Sequence, residues 1–496
     1  MRIDRSPLAD WPGAPSPAGR FSWPLEHSSS VYAQLSKNRA VTFSKNQREL
    51  IVQELLLQNK PETAPLIQKL LLDTSVTVTT GQQIGLGMGP LYTVIKIAEN
   101  LALAKELQQT LGIFVVPIFW MATEDHDFDE ANRVVHGHRV AFYNSSRKRA
   151  SVGSLPSQEA IPAIDKLKQW AHRPEEQRIL EEWSTIYNQS ETLSDAMRAL
   201  VYRLFSPEEL VVLDANRPAL KASFQPILRQ EWKESVIHRT PLIHTERSVD
   251  PKKFNAFVWK NGMRLPAEEV EESEQWVESA PEKFSPGVLL RPMYQEYILP
   301  NVGYIGGASE WAYWMQIRDA FAAFGLPLPV FKLRSSVSWL SPTGSRALRH
   351  SPGNLLEILH KGVSDATLLQ RAVEESTQTE WSEWESDFNK AFTQLEGAAH
   401  RLNPASLAMV GAWRAQHEKF EKRWKAQAKR YAAHRLIAPE KRIKIIQDEL
   451  MPSGMLQERK WSTLWPETHW GPLFAQSLIH HLDPWKSEHL LFVHDD

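Results

Sequence analysis

Residues Ser75–Asn132 decide the fold: SVTVTT-GQQIGLGMG-PLYTVIKIAENLALAKEL-QQTLG-IFVVPIFWMA-TEDHDFDEAN. In Ser75–Thr80, Val76 and Val78 alternate with Thr77 and Thr79, the period of a short strand. A turn rich in glycine follows (Gly81, Gly85, Gly87, Gly89), and Pro90 stands where a first helical residue would. Leu91, Val94, Ala98, Leu101 and Leu107 then share one helical face. Gly112 closes that helix, and Ile113–Ala122 is an almost unbroken apolar run, as in a strand covered on both faces. Strand, glycine turn, helix and strand make a βαβ unit. In an open α/β sheet, ligands bind in the crevice beyond the strand C-termini. Both loops there are unusual, one with bare backbone beside Gln82 and Gln83, the other with Glu124, Asp125, His126, Asp127 and Asp129 in succession.

The glycine turn matches neither Gly-x-Gly-x-x-Gly nor a P-loop. It could still offer N–H groups at a helix start to an anion, or simply be a tight turn. Four carboxylates and a histidine within Glu124–Asp129 repel one another. Such crowding suits a cation, a substrate amine or a proton transfer, although a solvated turn with Asp127 or Asp129 as helix cap would look the same.

Composition narrows the class. The chain has 496 residues, long enough for more than one domain, and a formal net charge of −2, which argues against a nucleic-acid footprint. The longest apolar stretch is about ten residues, too short to span a bilayer. The opening MRIDRSPLADWPG has no hydrophobic signal region, and no cysteine is present for a disulfide or a thiolate metal site. A cytoplasmic enzyme is the expectation.

Outside the βαβ unit, the opening segment is rich in proline (Pro7, Pro12, Pro15, Pro17, Pro24) and should lack regular structure. Helices are expected over Ser30–Ser36, Lys45–Gln58 and much of 155–205, and strands over His136–Tyr143, Leu210–Leu213, Tyr297–Leu299, Val302–Ile305 and Pro327–Ser336. The strand ending at Leu213 could bring Asp214 and Asn216 to the same crevice. Arg147, Lys148 and Arg149 form a basic turn, read as a solvated loop or a phosphate clamp. Trp381, Phe388, Leu395 and Leu402 repeat every seven residues, with Phe392 and Ala399 between them. After Asn403-Pro404, Trp413 and Phe420 repeat likewise, interleaved with His417, Trp424 and Tyr431. Two helices so patterned predict an antiparallel coiled-coil hairpin whose remaining apolar edge a second copy would bury.

Three stretches carry a resemblance to a known family. TGQQIGLGMGPLYTVIK with VPIFWMATEDHDFDEAN, then LLRPMYQEYILPNVGYIGGASEWAYW (Leu289–Trp314), then GMLQER (Gly454–Arg459) resemble, in that order, signatures of the BshC family, the cysteine-adding enzymes of bacillithiol biosynthesis. The resemblance implies an α/β protein: a Rossmann-like core with inserted connecting segments and an α-helical coiled-coil domain that pairs two subunits. The expected layout is a first core part with the catalytic loops (1–145), connecting segments with a core strand (146–285), a second core part (286–365), the hairpin (366–438) and a C-terminal segment packing back on the core (439–496). The implied activity is addition of L-cysteine to glucosaminyl-malate through an amide bond, the last step of the pathway. ATP is the expected cofactor, with ADP also able to bind, and no residue is assigned as a metal ligand.

Carried onto this sequence, the catalytic candidates are His126, Glu124 and Asp125, with His126 as the base that frees the attacking amine. The candidates for substrate or nucleotide binding are Thr80, Gly81, Gln82, Gln83, Gly85, Gly89, Tyr92, Lys96, Asp127 and Asn132 in the first signature. Gln295, Glu296, Gly306, Gly307, Glu310 and Tyr313 come from the second, Arg334 from the strand after it, and Gln457, Glu458 and Arg459 from the third. The pair Gln295 and Glu296 reads equally as core polar pairing. Two departures from the family pattern stand out. Leu333 precedes Arg334 where a proline is common, and Lys460-Trp461-Ser462-Thr463 lacks an asparagine often found there, an amide that a nucleotide-binding block would use. Two other classes fit the residues less well: a metal-dependent hydrolase or transferase using Glu124–Asp127, and a scaffold whose working part is the coiled coil.

Overall fold

The computed structural model describes residues 1–13, 25–137, 139–147, 150–240, 248–351, 354–361, 366–435 and 437–495, without the side chains of 361, 366–381, 383, 428–435 and 437–439. Pro15, Pro17 and Pro24 of the opening segment, Lys148 and Arg149 of the basic turn, and the heptad side chains of Trp381 and Tyr431 lie outside that description. The chain divides into two compact units, an α/β unit of Ile3–Trp339 and Met455–Phe492 and a helical unit of Met1–Arg2, Leu340–Gly454 and Val493–Asp496.

The α/β unit is built on a five-stranded parallel sheet of β1 (Val76–Gln83), β2 (Val115–Ala122), β3 (Val211–Asp214), β4 (Asn301–Gly306) and β5 (Val330–Leu333). Their order across the sheet is β5-β4-β1-β2-β3. The chain steps outward from β1 through β2 to β3, then returns to lay β4 on the other side of β1. The crevice between β1 and β4 is therefore the topological switch point, where a doubly wound sheet opens a ligand site. β1 and β2 run in register from Val76↔Val115 to Gln83↔Ala122, so Gln82, Gln83 and the loop after Ala122 arrive at one sheet edge together.

Helix α1 (Tyr92–Leu111) crosses between β1 and β2 and buries Leu91, Val94, Ala98, Leu101 and Leu107, the face read from the sequence. It begins two residues after Pro90 and ends at Gly112, whose φ of 65° is the left-handed conformation that glycine adopts without strain. Ser44 and Gln47 form a capping box on the helix Lys45–Gln58.

Four expectations are corrected. The opening segment is not without regular structure, since Arg2–Pro7 is a strand and Leu8–Asp10 a short 3-10 helix that buries Leu8. Tyr297–Leu299 is not a strand, because Arg291–Ile298 forms helix α2, started by Pro292 in its first turn and burying Met293, Tyr294 and Ile298. His136–Tyr143 is not one strand but the turn and second arm of a hairpin, Arg133–His136 with Arg139–Phe142, reversing at Gly137 with φ of 59°. Pro327–Ser336 splits into β5 and the start of Ser336–Trp339, which pairs parallel with Glu488–Val493. Helix α3 (Ala308–Ala323) follows β4. Within the connecting segments, Ala256–Lys260 pairs antiparallel with both Met263–Pro266 and Phe284–Pro286.

The helical unit contains the coiled-coil hairpin, α4 (Ala366–Leu402) and α5 (Leu407–Arg435). The turn between them is capped by Asn403, which accepts from the Ala405 N–H, with Pro404 following. His417 of α5 stacks on Phe388 of α4 at 3.7 Å between ring centroids, flanked by Trp384 and Phe392, so the predicted aromatic seam joins the two helices. Among the described residues no helix is long and apolar enough to cross a membrane.

Candidate functional site

A cavity of about 670 Å³ opens at the C-terminal edge of the sheet, lined by residues that follow β1, β2, β3 and β4. The strands bring Gly81, Gln82, Gln83, Glu124, Asp125, His126, Asn216 and Gly307 to its wall, and the helices add Tyr92, Lys96, Glu310 and Tyr313. Arg334, just after β5, and Arg459 of the third signature complete the lining.

Lys96 organises the β1–β4 side. Its buried Nζ donates to the carbonyl of Gly81 at 3.0 Å and to Gln82 Oε1 at 3.3 Å, and it pairs with Glu310. Burial pulls the lysine below its ordinary range, with Glu310 opposing. Burial pushes Glu310 upward, but Lys96, the Gly307 N–H at 2.9 Å and the Tyr304 hydroxyl outweigh it and hold the carboxylate ionised. Lys96 is thus a brace that fixes the β1 loop to the start of α3.

The acidic loop is divided among separate partners. Glu124 is held by Lys221 and by Trp259 Nε1 at 3.3 Å, both from the connecting segments. Asp125 accepts from Gln83 and from the Asp127 N–H at 3.1 Å. Asp127 accepts from the Glu130 N–H at 3.1 Å and caps the turn Phe128–Ala131, so it faces away from the cavity. His126, about half exposed, receives Arg264 Nη1 on its Nδ1 at 3.2 Å. Arg264 is itself aimed by Ser285 Oγ, the Pro286 carbonyl and the Phe257 ring. A guanidinium can only donate, so Nδ1 carries the lone pair and Nε2 the proton. Among the described residues no group of three or more histidines or carboxylates could hold a metal ion, and the hydrolase reading of Glu124–Asp127 finds no support in this arrangement.

Several candidates serve the fold instead. Thr80 is buried and donates to the Ile305 carbonyl across β1 and β4. Gly306 packs against Phe331, whose ring stands 2.5 Å from where a Cβ would be. Asn132 is buried behind the acidic loop, its carbonyl accepting from Tyr143. Glu296 lies fully buried among Arg39, Asn301 and Gln295, the core polar pairing that the sequence left open. Gln457 and Glu458 are also fully buried. They bind the backbone of Trp339 and Val337, and Glu458 pairs with Arg334 at 2.8 Å. The third signature therefore holds a strand in place and leaves only Arg459 at the cavity.

The glycine turn is largely closed as an anion cradle. The Gly87 N–H donates to Tyr187, that of Gly89 to the Leu86 carbonyl and that of Leu91 to the Trp461 carbonyl. Gly85 and Gly89 line a smaller neighbouring cavity of about 320 Å³, which shares Gln82, Gln83, Tyr92, Glu130 and Arg459 with the larger one and adds Arg133 and Lys460.

Sequence reading missed Lys221, Arg264, Arg291 and Glu130, all of which touch the site. Arg291 was within reach, since it lies one helical turn before Gln295 inside the second signature. Lys221 and Arg264 come from segments whose pattern reads as surface.

Residues 18–335 match the family described as "Bacillithiol biosynthesis BshC, N-terminal Rossmann-like domain", and residues 356–494 match "Bacillithiol biosynthesis BshC, C-terminal coiled-coil domain". A relative from Flavobacterium psychrophilum, "Putative cysteine ligase BshC", is 31% identical over 84% of this chain and 83% of its own. Proteins of the same name from Flavobacterium johnsoniae and Bacillus mycoides are 30% and 26% identical over 79% and 84% of this chain, and over 78% and 84% of their own lengths.

Proposed function

This chain belongs to the BshC family of bacillithiol biosynthesis, and on that premise we propose that it joins the carboxylate of L-cysteine to the glucosamine amine of glucosaminyl-malate. The observation that carries the reading is the cavity at the switch point, where acidic and cationic side chains from two strand ends and an inserted segment converge.

An amide does not form from a free carboxylate in water without activation, and ATP, when bound, supplies the group that converts the carboxylate into an acylating agent. The residues present fit such a polyphosphate: Arg133, Arg459 and Lys460 line the smaller cavity beside the main one and would hold its phosphates. ADP would occupy the same place.

The amine must shed its proton before attack. Glu124 and Asp125 are committed to Lys221 and Gln83. Glu130 lies on the exposed rim shared by both cavities, where partial desolvation and the charges of Asp127 and Asp125 move its carboxyl upward against Gln83 and Arg133, and this carboxylate is the one placed to take a proton from an ammonium. His126, with Nδ1 occupied by Arg264, serves this reaction better as an Nε2 donor to a substrate oxygen than as the base expected from sequence. Lys96 and Glu310 keep the β1 loop and α3 in register while substrates enter.

The enzyme works as a cytoplasmic homodimer paired through the hairpin. The test is direct: incubate the purified protein with L-cysteine, glucosaminyl-malate and ATP, and follow products by mass spectrometry. The amide together with AMP or ADP supports the reading and says which activation is used. A folded protein that forms no amide would refute it.

A further inference from the structure

Three cations at the main cavity or bound to its wall are ion-paired. Lys96 has Glu310, Lys221 has Glu124 and Arg334 has Glu458. Arg291, the first residue of α2, forms no ion pair with any carboxylate among the described residues. Its guanidinium carbon stands 5.7 Å from the Trp120 ring centroid and 5.5 Å from that of Tyr304, with Tyr313 beside it. Nη1 donates to Gln295 Oε1 at 3.1 Å, while Nη2 is out of contact with solvent and has no hydrogen-bond partner.

Its placement is built rather than incidental. Gln295 gives its amide N–H to Glu296 at 3.0 Å, which turns its oxygen toward Arg291. Glu296 is anchored in turn by Arg39 and Asn301. Glu310 and the Tyr313 hydroxyl act on this guanidinium from nearby, but Nη2 is left with no acceptor, and a sheltered polar N–H is costly until an anion joins it. A guanidinium fork matches a carboxylate with two parallel hydrogen bonds.

We propose that Arg291 binds a substrate carboxylate on the inner wall of the cavity. The assignment rests on the ligase reading, in which both substrates carry that group, cysteine at its α-carbon and the second substrate on its malate.

Calorimetric titration of L-malate and of L-cysteine, separately, into the wild type, Arg291→Gln and Arg291→Lys tests it. One of the two ligands should bind about ten- to hundredfold more weakly to Arg291→Gln, with Arg291→Lys between, because charge is kept but the fork is lost. The ligand that loses affinity identifies the carboxylate. In steady state the loss should fall on KM for that substrate more than on kcat. Unchanged affinity for both ligands, no binding of either to the wild type, or a lower melting temperature with KM intact would overturn the proposal. The wild type provides a second measurement that does not depend on a variant folding. Phenylglyoxal should modify Arg291, as mapped by peptide mass spectrometry, and the same carboxylate should protect it; labelling indifferent to both ligands overturns the proposal. Protection at Arg291 without amide formation would remove the ligase reading alone, and amide formation with unprotected Arg291 would remove this assignment alone.

Discussion

The α/β unit and the hairpin spend the same residue types in opposite ways. In the α/β unit, Trp183, Trp314 and Tyr304 are buried, and charged side chains such as Lys332 with Glu99 are paired out of contact with water. In the hairpin, Trp413 and Phe420 are 51% and 59% exposed, and its ion pairs, Arg414–Glu396 and Lys425–Glu385, stand in solvent. Aromatic burial in the first unit folds the chain and shapes a cavity. In the second, an aromatic seam joins α4 to α5, yet a further apolar edge remains outside it. Internal pairs of the first kind are costly to break, whereas exposed pairs are worth about 0–1 kcal/mol each. The difference separates a unit whose buried charges are mostly paired inside it from one that leaves large apolar side chains on its surface.

The largest predicted effect comes from breaking a buried pair. Glu99 accepts from Lys332, from the Ser335 N–H and from the Ser335 hydroxyl. Lys332→Met leaves that carboxylate uncompensated and should destabilise the α/β unit by about 3–5 kcal/mol. Urea unfolding of the variant measures it, and a loss below about 1 kcal/mol would mean the pair is not the internal brace described.

Burial also makes the α/β unit sensitive to pH. Glu231 is fully buried, accepts from Asn255 and from the Ile237 N–H, and is pushed up to about 7. The folded protein therefore holds this proton more tightly than the unfolded chain does. The contribution is fully present below about 4.5 and is lost as pH rises through about 7, by up to about 3 kcal/mol. Denaturant titrations of the wild type and Glu231→Gln at pH 5 and pH 8 should show a stability difference that shifts in favour of the variant at the higher pH. A difference independent of pH would contradict the sign.

At the site, the Arg264 contact makes the two isosteres of His126 unequal. Glutamine places its amide near Nε2 and can still donate there, while asparagine places it near Nδ1. His126→Asn should slow turnover about a hundredfold, and His126→Gln should stay within about tenfold of the wild type. The reverse order would return His126 to the role of base.

The smallest effect on stability is expected in the hairpin. Trp413→Glu with Phe420→Glu should change unfolding by less than about 0.5 kcal/mol per site, since both side chains are exposed. Analytical ultracentrifugation should nevertheless show a dimer becoming a monomer. A dimer that survives both changes would mean that this edge is not the interface.

Periodicity made β1, α1 and β2 legible in the sequence, and the crevice followed from where those strands end. Heptad spacing likewise made the hairpin legible, with Phe388 and His417 on its seam. What stayed hidden were partners set by distance along the chain. Glu296 looks like a ligand-binding acid until Arg39 is folded against it, and Glu458 until Arg334 is. Arg264 reaches His126 from a hairpin of the connecting segments, 138 residues away, and no local pattern marks that approach. The glycine turn misled for a related reason: its N–H groups are taken by Tyr187 and by backbone carbonyls, one of them from the C-terminal segment.

The central claim is that the cavity between the ends of β1 and β4 is where the substrates meet, and a crystal soaked with glucosaminyl-malate tests it most directly. The account predicts the ligand in that cavity, its amine turned toward Glu130 and its sugar oxygens within reach of His126. The ligand ordered elsewhere, with Lys96, Glu310 and Arg291 untouched, would contradict it.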